Sequence, residues 1–163
     1  MASIIGWDIG GAHLKAARLE NGHIVNVVQI ASPLWQGIGE LHYALDQARE
    51  LLGPADRHAA TMTAELADAF ADRTEGVTKV AEIAEAALGT ENLRFYAGHA
   101  GLVRPDAVAT QTEAIASANW HASAALVARH FSDAIFADMG STTTDLIPVR
   151  DGKVAAFGNS DVT

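Results

Sequence analysis

Asp8-Ile9-Gly10-Gly11-Ala12-His13-Leu14-Lys15 recurs, with substitutions, as Asp138-Met139-Gly140-Ser141-Thr142-Thr143-Thr144-Asp145. A shift of 130 residues aligns the two without a gap, and Asn21-Gly22 then falls on Asp151-Gly152 and Ile24 on Val154. Each copy reads as apolar strand, acidic residue, Gly-rich turn, strand, turn, strand. Asn-Gly and Asp-Gly accept the positive φ angles of a type I′ hairpin, so both second turns have a mechanism. Chance likeness of two Gly-rich hairpins would have to keep Asp, Gly and turn in register over 17 positions. Two related domains, each opening with the same strands, is the better reading: 1–132 as the first, 133–163 as the start of the second. A three-stranded meander that short cannot bury its own face, so the second domain is expected to be incomplete, its remainder missing, disordered or supplied elsewhere.

Working outward, 4–8, 14–20 and 23–30 are predicted as an antiparallel meander that Ser32-Pro33 breaks. Leu41, Leu45, Ala48 and Leu52 recur at helical spacing over 38–52, and Gly53-Pro54 ends that helix. A short strand follows at 58–63, then a helix over roughly 64–71. Thr74 is expected to cap a helix that runs to Leu88 and stops at Gly89. Residues 93–97 read as a strand. One long helix is expected over 112–130, with Trp120, Ala124, Val127 and Phe131 as its inward stripe. The sum is a mixed sheet with helices on its faces, class α/β.

Composition removes several function classes. The 163 residues carry a net charge of −9 and only three lysines, so the basic surface that nucleic-acid binding needs is lacking. Absence of cysteine excludes disulfides, thiolate zinc sites, iron–sulfur clusters and cysteine nucleophiles. The N-terminus has no basic region and reaches Asp8 early, unlike a signal peptide, and no run approaches the ~18 apolar residues of a membrane span. A cytoplasmic protein without a membrane partner is expected. The histidines lack metal-ligand spacing and no nucleophile elbow appears.

The two turns are the candidate chemistry. In Gly10-Gly11-Ala12-His13, as in Gly140-Ser141-Thr142-Thr143-Thr144, consecutive amides can form a concave nest for phosphate oxygens. Lys15 can reach a phosphate as a point charge, and Asp8 and Asp138 can hold Mg²⁺, which favours a few carboxylates plus substrate phosphates. Taken singly each turn is better read as a structural hairpin; the matched pair favours phosphate binding. Neither is a P-loop or a dinucleotide fingerprint, since each leads into a strand. On residue chemistry alone Thr63 caps a helix with Glu65 in its first turn. Trp120 is read as core, with Asn119 and His121 solvated or satisfied beside it.

The paired hairpins resemble the actin-like ATPase superfamily of sugar kinases, Hsp70 and actin, whose ribonuclease-H-like domains clamp a Mg-nucleotide between their first hairpins. Gly6-Trp7-Asp8-Ile9-Gly10-Gly11, Thr61-Met62-Thr63-Ala64-Glu65-Leu66, Ala118-Asn119-Trp120-His121-Ala122 and Asp138–Asp145 together resemble one family within it. That family is the hydantoinase/oxoprolinase-like group of tetrahydromethanopterin-linked C1-transfer proteins, and the likeness runs from Ile4 to about Asp161. Its archaeal members include a synthase of methanofuran biosynthesis that joins an aminomethylfuran diphosphate to γ-glutamyltyramine. The resemblance implies a Mg²⁺-dependent, ether-forming transferase that acts on a small phosphorylated substrate. In it Asp8, Asp138, Lys15 and the two nests would steady the leaving diphosphate, and Glu65 or Asp145 would take the phenol proton. It leaves ATP open: Ala12 stands where sugar kinases usually carry threonine, and the nucleotide-base pocket lies mostly in the half of the family that follows. On that expectation this piece alone would be inactive, and unpaired edges of its partial sheet predict self-association. Two other readings stay open at this point, an ATP-dependent amidohydrolase that opens a cyclic amide and a nonenzymatic actin-like nucleotide-binding module.

Overall fold

A computed structural model describes residues 2–139 and 144–156. The meander is present: β1 (Ser3–Ile9), β2 (His13–Glu20) and β3 (His23–Ala31) pair antiparallel. Asn21 and Gly22 take φ of 52° and 80°, as a two-residue turn of right-handed twist requires. Helix α1 (Gly39–Leu52) carries the chain across to β4 (Arg57–Met62), which lies parallel to β1. Helix α2 (Arg73–Leu88) leads to β5 (Leu93–Tyr96), parallel to β4, and the short β6 (Leu102–Val103) closes the sheet order β3-β2-β1-β4-β5-β6.

One face of this sheet is covered. Ile5, Trp7 and Ile9 of β1, Leu14 and Ala16 of β2 and Phe95 of β5 are buried with Leu41, Leu45 and Leu52 of α1 and Val77, Val80 and Leu88 of α2. The alternation of strand side chains sends Gly6, Asp8, Lys15, Thr61 and Tyr96 to the opposite face. On that face lies the helix α4 (Asn119–Ala128), which also packs against a second sheet made of β7 (Ala134–Met139), β8 (Thr144–Arg150) and β9 (Lys153–Val154).

The second sheet repeats the first in register. Asp8 faces Lys15 and Ile5 faces Arg18 across β1 and β2; 130 residues on, Asp138 faces Asp145 and Ile135 faces Pro148. Asp151-Gly152 turns with φ of 51° and 68°, close to Asn21-Gly22.

Three expectations are corrected. Residues 64–71 hold a single 3-10 turn, Ala64–Leu66, in place of a helix. Helix α2 is capped by Asp72 rather than Thr74: Asp72 Oδ1 accepts from the Glu75 amide at 2.8 Å, and Glu75 Oε2 accepts from the Ala71 amide at 2.8 Å. This reciprocal bonding meets two amides at once, as a capping box does. The predicted long helix is broken into α3 (Thr112–Ile115) and α4 by Ser117, whose φ is +50°. Trp120 is therefore half-buried rather than core, and Phe131 is exposed.

Candidate functional site

The first turn is built around Gly10. Its amide donates to His13 O at 3.1 Å, and a Cβ on Gly10 would stand 2.7 Å from that same oxygen, so a side chain here would open the turn. Two further bonds tie the turn to the segment after β3: Ser32 N donates to Ala12 O (2.9 Å) and Leu34 N to Gly11 O (3.0 Å). Ala12 and His13 face solvent. From the other side, Thr63 N donates to Ile9 O at 2.9 Å, which brings the 3-10 turn Ala64–Leu66 against Gly11. A hollow of about 250 Å³ remains beside Gly11, walled by Trp35, Thr63, Leu66 and Asp68.

Asp8, at the end of β1, has Lys15 opposite it on β2 and Thr61 opposite it on β4. Lys15 Nζ donates to Asp8 Oδ2 at 3.2 Å and Thr61 Oγ1 donates to Asp8 Oδ1 at 3.3 Å. Both bonds are long and the carboxylate is partly open to solvent, so an incoming cation can replace Lys15 at modest cost. No group of three His, Asp or Glu side chains able to cage a metal occurs among the described residues. A cation at Asp8 would thus draw its other ligands from water and phosphate oxygens, the habit of Mg²⁺. Asp8, Lys15, Thr61 and Tyr96 also line one 530 Å³ cavity between the open sheet face and α4, whose other walls are mainly alanine, valine and leucine. A cleft of similar volume, about 540 Å³, lies beside Ile5, Arg49 and His58 on the helix side and includes neither turn.

Thr63 makes no side-chain cap bond. Glu65 is almost completely buried, and Ser117 Oγ donates to its Oε1 at 2.7 Å while Arg73 Nε stands 3.8 Å away. Glu65 Oε2 has no hydrogen-bond partner among the described residues. Burial pushes the Glu65 carboxyl above its ordinary value, against the smaller opposing pull of Ser117 and Arg73. A Cβ at Gly76 would come 2.6 Å from Glu65 O, so the close approach of α2 to this segment depends on glycine. The Ser117–Glu65 bond is the connection that the break at Ser117 permits; a continuous helix would not present that hydroxyl with positive φ.

The second half of the predicted site is placed less closely. Asp138 is half-buried on β7, with Asp145 and Thr144 exposed on β8. Gly140, Ser141, Thr142 and Thr143 lie outside the described residues. Thus Asp8, Lys15 and the first turn come together, Glu65 packs behind that turn, and Asp138 and Asp145 form a register pair on the other sheet. Tyr96, Ser117 and Arg73 were missed by sequence reasoning: a tyrosine on a strand and a serine in an alanine-rich stretch send no signal of their own. His121 was noticed for its motif but not for its setting. It is 6% exposed, and its Nδ1 is 2.8 Å from the Tyr96 hydroxyl oxygen.

The chain is 36% identical over 154 residues to (4-{4-[2-(gamma-L-glutamylamino)ethyl]phenoxymethyl}furan-2-yl)methanamine synthase of Methanocaldococcus jannaschii, across 94% of this chain and 45% of that protein. It thus spans about half the length of the curated relative it matches. A ROK family glucokinase from Streptomyces griseus superposes with a TM-score of 0.55 at 17% identity, over 94% of this chain and 46% of the other. A Ppx/GppA family member from Aquifex aeolicus gives 0.52 at 14%, over 95% and 49%. At such identities the likeness concerns the fold, which is that of the actin-like ATPases. Residues 56–162, which take in the Glu65 segment, the Asn119–His121 motif and the second hairpin, match the hydantoinase/oxoprolinase family model. This chain belongs to the hydantoinase/oxoprolinase family.

Proposed function

We propose that the whole protein is a transferase that joins an aminomethylfuran diphosphate to the phenol of γ-glutamyltyramine, or a similar phenol, with release of pyrophosphate. The present residues would form its first domain (1–132) and the opening strands of its second (133–163). The observation that carries this reading is the first turn. It is solvent-facing, pinned on two sides, with a carboxylate, a lysine and a small hollow beside it, in a chain over a third identical to a synthase of that product.

Cleavage of the diphosphate from the furfuryl carbon develops negative charge on the bridging oxygen. Lys15, freed from Asp8, and the amides of residues 11–12 would meet that charge, the kind of fixed stabilisation that dominates such steps. In the second hairpin the amides of 140–143 and Thr144 would do the same. Asp8 and Asp138 would hold a Mg²⁺ ion, which when bound would supply further charge neutralisation to the diphosphate. The furan delocalises positive charge at the departing CH₂, which gives the step dissociative character. A phenol, with a pKa of about 10, then benefits from a base as it attacks. Of the two carboxylates considered for that task, Asp145 is open to solvent, whereas Glu65 is sealed behind the turn and holds Ser117.

The test is to incubate the full-length protein with Mg²⁺, the furan diphosphate and γ-glutamyltyramine without ATP, and to look by mass spectrometry for ether and pyrophosphate. Both products are expected. A folded protein that forms neither, beside a working control enzyme, refutes the transferase reading and directs attention to ATP-dependent cleavage of a cyclic amide.

A further inference from the structure

Tyr96 ends β5 on the open face of the sheet and lines the same cavity as Asp8, Lys15 and Thr61. Behind it, out of that cavity, His121 is buried in the first turn of α4, with Nδ1 2.8 Å from the Tyr96 hydroxyl oxygen. His121 is held edge-on by His99 at 4.6 Å and Trp120 at 5.5 Å between ring centres, and its Nε2 is buried without a hydrogen-bond partner among the described residues. A buried imidazole with one nitrogen unsatisfied costs stability, and a purely structural ring would be better replaced by an apolar one. The cavity walls beside this pair are Gly6, Ala59, Val27, Leu102 and Leu126, which suit a flat apolar ring rather than a charged group.

We propose that this cavity takes the aromatic ring of the acceptor, and that Tyr96 is the catalytic residue that receives the acceptor's phenolic proton, with His121 as its positioning partner. This rests on the transferase reading above. In the step, the phenolic oxygen forms its bond to the furfuryl carbon as the carbon–oxygen bond to diphosphate breaks, the electron pair leaving with diphosphate. The phenolic proton passes to Tyr96 Oη while the Tyr96 proton passes to His121 Nδ1. The reverse relay then returns the proton to the released pyrophosphate or to solvent, and both residues are restored.

The chemistry of the pair suits the task. Burial, with a smaller contribution from His99, holds His121 below the usual histidine range, so it is neutral and able to accept. Burial raises Tyr96, so the hydroxyl keeps its own proton until the relay moves it. A weak base is sufficient, because the phenolic oxygen becomes strongly acidic as its new bond to carbon forms. The relay takes Nδ1 as acceptor from the Tyr96 hydroxyl, with the imidazole hydrogen on Nε2; the 2.8 Å contact itself fits either tautomer.

The experiment compares full-length wild type, Tyr96→Phe and His121→Asn on γ-glutamyltyramine and on ring-fluorinated analogues whose phenols are more acidic. Tyr96→Phe is expected to lower kcat about 10²-fold on the parent acceptor with little change in KM, and the deficit should shrink as the phenol ionises more readily. His121→Asn should show the same trend with a smaller loss. A loss equal for all acceptors, or none, overturns the proposal, and this dependence on acidity reads through even if a variant is less stable. Ether formed by wild type and undiminished in Tyr96→Phe refutes this proposal and leaves the transferase reading standing; no ether from wild type refutes both.

Discussion

The two hairpins share a pairing register and a turn, yet they live in different surroundings. In the first, Ile5 and Ile9 are 1% and 0% exposed beneath α1 and α2. Their counterparts 130 residues on, Ile135 and Met139, are 74% and 77% exposed. The second sheet is covered only on its α4 side, where Ile147 and Val149 are buried, so the same local pattern produces the same ladder whether or not helices lie on the other face. A hairpin's register follows from its turn and alternation, while its stability comes from what is laid on it. The acidic residue shows the contrast as well: Asp8 faces Lys15, but Asp138 faces Asp145. The opposite-charge pair of the first copy is a like-charge pair in the second.

The sharpest way to break this comparison is to cut matched side chains. Ile5→Ala should cost about 3 kcal/mol by urea unfolding, from lost burial plus a cavity, and Ile135→Ala about 0.5 kcal/mol or less. Equal costs would mean that the bare face of the second sheet is covered in solution. Next comes activity of the full-length protein. Asp8→Asn and Asp138→Asn should each lower kcat about 10²-fold in a pyrophosphate-release assay if both serve the diphosphate. Loss in Asp8→Asn alone would reduce the second hairpin to a structural echo of the first.

Smaller, and equal in both copies, is the effect of the turns. Gly22→Ala and Gly152→Ala each force a side chain into the left-handed region and should cost about 1 kcal/mol in melts. Unequal costs would show that context, not local geometry, sets that turn. The smallest effect concerns packing that the first hairpin has in Glu65. Because burial raises the Glu65 carboxyl, its contribution to stability is present below its ordinary value of 4.5 and is lost as pH rises. Glu65→Gln, which mimics the protonated form, should match wild type at about pH 4 and melt higher than wild type at neutral pH. The opposite order at neutral pH would show that the Arg73 pair outweighs burial.

Much of this was legible in the chain. Asn21-Gly22 and Asp151-Gly152 announced their turns because few other residues accept two successive positive φ angles. The 3.6-residue spacing of Leu41, Leu45, Ala48 and Leu52 announced α1 for the same kind of local reason. The break at Ser117 was not legible: the stretch around it is rich in alanine, which favours helix throughout, and the partners at the interruption are distant in sequence, Glu65 bonded by Ser117 and Met62 bridged by Ala116. The Asp72 cap was misread by two residues because Asp72 and Thr74 are both competent caps, and the placement of Glu75 decides between them.

For the site, sequence by itself determined the parts that depend on neighbours in the chain: the two turns, the strand-end carboxylates and the repeat that relates them. Tertiary structure decided which distant groups join them. It sealed Glu65 behind the first turn, drew Tyr96 into the cavity with Asp8, and set His121 behind Tyr96 through a helix that starts late. Local turns and ladders are specified by φ preferences and alternation, which short segments carry. Burial and long-range hydrogen bonds depend on which faces meet, and that is a property of the packed whole.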